Sequence, residues 1–284
     1  LHRFRHSFPT RRSSDLYQLL KDDPELLKIY ERPLLYWKKL LHLESPNLQL
    51  FIKDLHNIKL SQMPSVYEQD GIHCLSFLDE EYPITLTNIY QQPWVLYAKG
   101  NVSLLTHKRI LAIIGTRAPT EYGNEVLKRL VPDFVQADIS VVSGLAKGID
   151  SLAHKITLAN GGDCLAVIGG GLHHIYPREN IHLAHLIMQK GLIISEYPPV
   201  VRPKPWHFPM RNRLISGLSK AILVVESKRK SGTFITVERG LEQGKDIFAV
   251  PGSIFSEPSS GTNAWIREGA KLVTCAEDIL SEWE

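Results

Sequence analysis

From Arg109 onward, strand-length apolar runs alternate with helix-length stretches, and this period constrains the fold more than any other feature of the chain. The apolar runs cover residues 110–114, 139–142, 164–168, 192–195, 221–225 and 247–250, separated by stretches at 121–136, 147–159, 179–190, 211–218 and 233–243. Runs without polar alternation indicate strands buried on both faces. A regular β–α alternation gives parallel strands joined by helical crossovers. The expected fold is α/β: an extended Rossmann-like, doubly wound parallel sheet within a domain spanning residues 71–284, its core at 109–250.

The preceding chain reads differently. Residues 17–67 repeat apolar side chains at three- and four-residue spacing, with breaks at Pro24, Pro33, Pro46 and Pro64, which predicts a small all-helical domain. Residues 71–100 read as a connecting segment with one or two strands packed on the α/β core. The opening 1–16, LHRFRHSFPTRRSSDL, has no period of either kind, and FPTRRSSDL resembles a translated sequencing adapter; a non-native, loosely attached segment is expected there.

Charge divides along the same boundaries. Residues 1–16 hold four bases and one acid, 17–100 eight bases and eleven acids, and 101–284 21 bases and 18 acids. The net +3 is therefore too small to announce a nucleic-acid binder, but it covers a contrast between an acidic helical part and a basic α/β part. Cys74, Cys164 and Cys275 stand far apart and in no C-x-x-C pair, which speaks against a disulfide scaffold or zinc ribbon and for a reducing cytoplasm. No apolar run reaches membrane-spanning length.

In a doubly wound sheet, ligands lie beyond the carboxyl ends of the strands. Those positions hold Gly115-Thr116-Arg117, Ser143-Gly144, Gly169-Gly170-Gly171 and, at the start of a later helix, Ser231-Gly232-Thr233. Small residues there let backbone N–H groups approach an anion, although βα turns also need glycine for purely local reasons. Together they predict a phosphate-binding rim. No P-loop and no G-x-G-x-x-G are present, so a nucleotide hydrolase of that class and a dinucleotide dehydrogenase both fit poorly.

Between Tyr197 and Val237 lie eight bases (Arg202, Lys204, Arg211, Arg213, Lys220, Lys228, Arg229, Lys230) and one acid, Glu226, interleaved with Trp206, His207 and Phe208. Bases that track a backbone, beside rings that stack on nucleobases, suit a single strand; a solvated loop with an aromatic anchor is the blander reading. Asp150 and His154 are one helical turn apart, a spacing that also suits a plain hydrogen-bonded pair. His182 and His185 lack a third ligand, so no metal is expected. Glu196, Glu226 and Glu238 could serve as acid/base groups on the rim, or could orient arginines and cap helices.

Read in order, these strings resemble the DNA-processing protein A (DprA/Smf) family. The resemblance rests on IGTR with YG at 122–123, SGLAKGIDSLAH at 143–154, GGGLHHIYPREN at 169–180, SEYPP at 195–199, FPMRNRLISGLS at 208–219, SGTFITVERGLEQGKDIFAVPG at 231–252 and GTNAWIREGA at 261–270. It implies a protein without catalysis or cofactor that binds single-stranded DNA, forms a homodimer and loads the RecA recombinase during natural transformation. It carries over Arg117, Arg178, Arg211 and Arg213 as phosphate-binding residues, with Lys147 as an addition. The cradle is then Gly115, Thr116, Ser143, Gly144, Gly169, Gly170, Gly171, Asn212, Ser231, Gly232 and Thr233. Many family members carry a C-terminal winged helix, which is not expected here. Phe234, Val237 and Trp265 depart from expected residue types without touching the basic set. Leu241, Ile254, Trp265, Ile266, Leu272 and Ile279 are candidates for a dimer surface or for ordinary core. The alternative function is a Rossmann-like nucleotide-binding enzyme of the phosphoribohydrolase kind, although the P-G-G-x-G-T run of such enzymes is missing.

Overall fold

The computed structural model describes residues 13–23, 28–42, 45–57, 63–229 and 231–283. Helices α1 (Ser13–Asp22), α2 (Leu34–Leu41), α3 (Ser45–Asn57) and α4 (Met63–Gln69) make up the N-terminal part. The first begins within the stretch set apart at 1–16; residues 1–12 and Pro24 lie outside the described residues. Prolines open the helices here. Pro33 is the N-cap of α2, and Pro46 and Pro64 are the second residues of α3 and α4. Proline has no N–H to lose in a first turn, and its fixed φ already suits one. Leu19, Ile29, Trp37, Leu41, Leu48, Phe51 and Leu55 form the small core between these helices, and Trp94 joins it to the larger domain.

Strands β1 (His73–Ser76), β2 (Val95–Gly100), β3 (Ile110–Ile114), β4 (Ser140–Ser143), β5 (Cys164–Ile168), β6 (Leu192–Ser195), β7 (Ala221–Val224), β8 (Asp246–Ala249) and β9 (Lys271–Leu272) form one sheet. Their order is β1-β2-β6-β5-β4-β3-β7-β8-β9. From β6 through β9 every pairing is parallel. The sheet therefore reaches beyond the expected core at both edges. The segment read as a connector is an antiparallel hairpin, β1 with β2, and β2 pairs antiparallel to β6 with Tyr97 opposite Ser195.

Helices α5 (Glu121–Gln136), α6 (Ile149–Ala159) and α7 (Ile181–Lys190) alternate with the strands, followed by α8 (His207–Leu218), α9 (Gly232–Glu242), α10 (Ser260–Arg267) and α11 (Glu277–Leu280). Alternate residues of each strand serve opposite faces. Ile110, Ala112 and Ile114 share a core with Leu214, Ile215, Leu218 and Val237 of α8 and α9. Leu111 and Ile113 share another with Leu127, Leu130, Val131, Phe134, Ile149 and Ala153 of α5 and α6. Helix α8 starts four residues earlier than expected because Pro209 sits in its first turn. The chain runs from β3 outward to β6 and then returns to the other side of β3 as β7. This reversal opens a crevice beyond the carboxyl ends of β3, β4 and β7.

Candidate nucleic-acid interface

A cavity of about 620 Å³ occupies that crevice. Three strand ends build it. After β3, Gly115 lies so close to Ile149 and the Glu226 carbonyl that a Cβ would come within 3 Å of both. The Thr116 N–H donates to the Glu226 carbonyl (2.7 Å), and the Thr116 carbonyl accepts from Ile149 (3.1 Å). The turn is thereby fixed and leaves Arg117 exposed on the cavity lining. Among the described residues, no acid forms an ion pair with Arg117. After β7 comes Lys228, which lines the cavity and also meets Glu257 at 2.6 Å. Ser231, Gly232 and Thr233 then open α9 at the cavity. The Thr233 hydroxyl donates to the Gly115 carbonyl (3.1 Å), which ties the two strand ends together. Nothing lies within 4 Å of a Cβ built on Gly232, so the start of α9 is open, and its dipole favours an anion there. Tyr176 and Phe208, with ring centroids 5.6 Å apart, line the cavity as an aromatic pair. Trp206 is exposed nearby, with the Lys204 ammonium 5.2 Å from its ring.

The strand end after β4 is committed internally. The Ser143 hydroxyl donates to the Ile113 carbonyl (2.6 Å), and the Gly144 N–H donates to the Asp150 carboxylate (3.1 Å). The Gly144 carbonyl accepts from Arg211 (2.5 Å). Arg211 also donates to Asn212 Oδ1 (3.1 Å) and to the Val167 carbonyl, and it is buried. Burial pushes its guanidinium down to about 10, opposed by Asp150. Burial likewise raises the Asp150 carboxyl, opposed by Arg211 and by the Ala146 and Gly144 N–H groups. Arg211 and Asp150 thus form a nearly neutral cavity floor. Arg211, expected to neutralise phosphate, lines the cavity with Nε spent on Asn212 and Nη1 on two backbone carbonyls. Asn212 lines the cavity beside it.

Other expected residues fall elsewhere. Arg213, two positions along α8, is turned away from the cavity and buried against Glu196 (2.7 Å). Gly169, Gly170 and Gly171 are buried as well. A Cβ on them would meet Phe208, Pro203 and the Pro198 and Pro199 carbonyls respectively, so their glycines admit a neighbouring chain segment rather than an anion. Arg178 and Lys147 are exposed but outside the cavity lining, and Lys147 pairs with Glu179 at 2.7 Å. Tyr176 is the residue that sequence reasoning left unassigned, although it belongs to a quoted string. Glu226, 1% exposed, accepts from the Thr120 N–H (2.9 Å) and hydroxyl (2.6 Å) and so fastens the start of α5. Its carboxylate packs so closely on Gly123 that a Cβ there would collide with it. His182 and His185 are exposed, and no group of three metal-ligating side chains occurs among the described residues.

His154 is fully buried on α6, with the Ser143 backbone as the polar group beside its ring. Burial, opposed by the Ser143 backbone and aided by the nearby Arg211 charge, pushes its imidazole down to about 3 from 6.5. The unfolded chain therefore binds a proton near pH 6.5 that the folded chain refuses, and stability present above that pH is lost as pH falls toward 3. At about 1.36 kcal/mol per pH unit, lowering the pH from 6.5 to 5 costs about 2 kcal/mol through this residue. Urea denaturation of the wild type and His154→Gln at both pH values checks it. The variant should lose about 2 kcal/mol less between them, and equal losses would show that His154 does not carry the effect.

The family model of DNA recombination-mediator protein A matches residues 73–284. The chain belongs to the DNA recombination-mediator protein A family. The matched region holds the entire sheet and every residue of the cavity. Among family members, the DNA processing protein DprA of Bacillus subtilis is 44% identical over 224 residues, 79% of this chain and 75% of its own length. The X-ray structure of DNA processing protein A from Streptococcus pneumoniae superposes with a TM-score of 0.86 at 35% identity, covering 100% of this chain and 96% of that one. DNA processing protein A from Helicobacter pylori, whose structure describes its single-stranded DNA binding mode, gives a TM-score of 0.66 at 28% identity over 75% of this chain and 95% of that one. No helix among the described residues is long and apolar enough to cross a membrane.

Proposed function

We propose that this member of the family binds single-stranded DNA without catalysing a reaction, protecting incoming strands and loading the RecA recombinase during natural transformation as a cytoplasmic homodimer. The strand-end cavity carries this reading. Its exposed Arg117, the open start of α9 and the Tyr176–Phe208 pair supply a cation, an anion-favouring dipole and stacking faces within one crevice. The binding mode described for the Helicobacter pylori relative supports the same ligand. Glu226 supports binding over bond cleavage, since both its oxygens are held by Thr120.

A salt series with single- and double-stranded oligonucleotides tests the reading. The single strand should bind more tightly, with affinity falling steeply as salt rises. Arg117→Ala should weaken binding to unrelated sequences alike and reduce the salt slope by about 1, because a phosphate contact carries no sequence information. Adding Arg178→Ala should weaken it further. Equal affinity for both forms, or an unchanged slope in Arg117→Ala, would remove the cavity from the interface.

A further inference from the structure

The loop between β8 and α10 carries two bare apolar side chains at its tip. Ile254 is 85% and Phe255 94% exposed, the highest values of any large apolar residue among the described residues. The backbone beneath them is firmly held. Asn263 of α10 clamps Gly252, accepting from its N–H (3.2 Å) and donating to its carbonyl (2.9 Å). The Tyr122 hydroxyl donates to the Pro251 carbonyl (2.6 Å), and the Ser227 N–H donates to the Pro258 carbonyl (2.7 Å). Across the tip, the Ser253 hydroxyl accepts from the Phe255 N–H (3.2 Å) and the Ser253 carbonyl from the Ser256 N–H (3.0 Å). A slack loop would lay an isoleucine and a phenylalanine on the nearest apolar surface, whereas this one holds them out in water.

Strands β3, β7 and β8 are parallel neighbours, so this loop stands on the same rim as Arg117, which follows β3, and Lys228, which follows β7. Its strand lies one spacing, ~4.8 Å, beyond β7. The loop's one acid, Glu257, pairs with Lys228 at 2.6 Å, and Lys228 lines the strand-end cavity. Arg229 comes next, exposed and in no ion pair among the described residues. Tyr122, at the foot of the loop, is exposed as well. Rings in water, cations beside them and an acid already paired suit one more nucleotide of a single strand, because a ring stacks on any base while cations follow the backbone. A second copy of the chain is a poorer occupant. One aromatic side chain offers about 150–250 Å², against the roughly 800 Å² that each partner brings to a stable complex.

We propose that Phe255 is a second stacking station for single-stranded DNA, taking a base that lies beyond the strand-end cavity, with Lys228 and Arg229 flanking the backbone between the two. Resting on the reading of that cavity as the DNA interface, this extends the strand's path from the Tyr176–Phe208 pair across the end of β7 to the end of β8.

Binding of oligothymidylates of two lengths to the full chain at fixed salt tests this. One of about four nucleotides fills a single site, and one of about 16 reaches both. Wild type and Phe255→Ala should bind the short one alike. Phe255→Ala should bind the long one roughly five- to a hundredfold more weakly, the range for losing one stacked base. In Phe255→Trp, the long oligonucleotide alone should quench indole fluorescence beyond the quenching seen in the wild type. Wild-type affinity of Phe255→Ala for the long one, with Arg117→Ala weakened at both lengths, would overturn the proposal and leave the cavity reading standing. A wild type that binds neither length removes both. Light scattering without DNA tests the other occupant: a mass lowered by Phe255→Ala would make the loop an interface between copies and overturn the proposal.

Discussion

Glu196→Ala is expected to destabilise the chain by about 3–5 kcal/mol, as breaking one half of a buried ion pair does. Glu196 follows β6 and Arg213 belongs to α8; they are 6% and 3% exposed, and Arg213 Nη2 donates to Glu196 Oε2 at 2.7 Å. Burial pushes the Arg213 guanidinium down only to about 10, so at pH 7 it cannot shed its charge when the carboxylate is gone. The penalty is therefore the cost of a buried, uncompensated cation. Replacing both partners together, Glu196→Leu with Arg213→Met, should recover most of the loss, because two apolar groups of similar volume leave no charge behind. Urea denaturation of the three proteins measures this. A single variant costing under about 1 kcal/mol would show that water reaches the pair and relieves it.

The same arginine shows where sequence reading stops. Strands β3, β5 and β6 and helix α5 lie where the apolar pattern places them, because an uninterrupted buried strand and a long amphipathic helix each leave a pattern that survives without tertiary knowledge. The β1–β2 hairpin is harder to read as sheet. β1 is four residues long, only Leu75 of it is buried, and nothing local states that β2 joins β6. In the site, glycine is the ambiguous signal. Gly115 and Gly232 stand at the cavity, whereas Gly169, Gly170 and Gly171 make room for Phe208 and three prolines, and a bare glycine in a βα turn reads the same in both cases. Arg211 and Arg213 can be separated by helix geometry alone. Residues two apart on a helix point about 200° away from each other, so one cavity cannot receive both. Since α8 begins at His207, both arginines lie inside the helix, where that geometry applies.

Arg211→Ala is expected to cost about 3–5 kcal/mol of stability while leaving the salt slope of DNA binding as in the wild type. Its guanidinium links the Gly144 carbonyl after β4 to the Val167 carbonyl within β5, and Asp150 receives the Gly144 and Ala146 N–H groups on the same turn. Removing Arg211 strands a buried carboxyl, which burial already drives upward, and unlinks the two carbonyls it joins. A Cβ on Gly144 would come within 2.7 Å of both groups, so there is no slack through which solvent or another side chain could replace them. Phosphate oxygens cannot use the Nε and Nη1 donors spent in this way. The count of released counterions should therefore depend on Arg117 and not on Arg211. Arg117→Ala should show the reverse pattern: a slope reduced by about 1 at nearly unchanged stability, as for an exposed side chain. Measuring denaturation midpoints and salt slopes for both variants separates the roles. A lowered slope at wild-type stability in Arg211→Ala would return that residue to the phosphate contacts and show that DNA draws it away from Gly144 on binding.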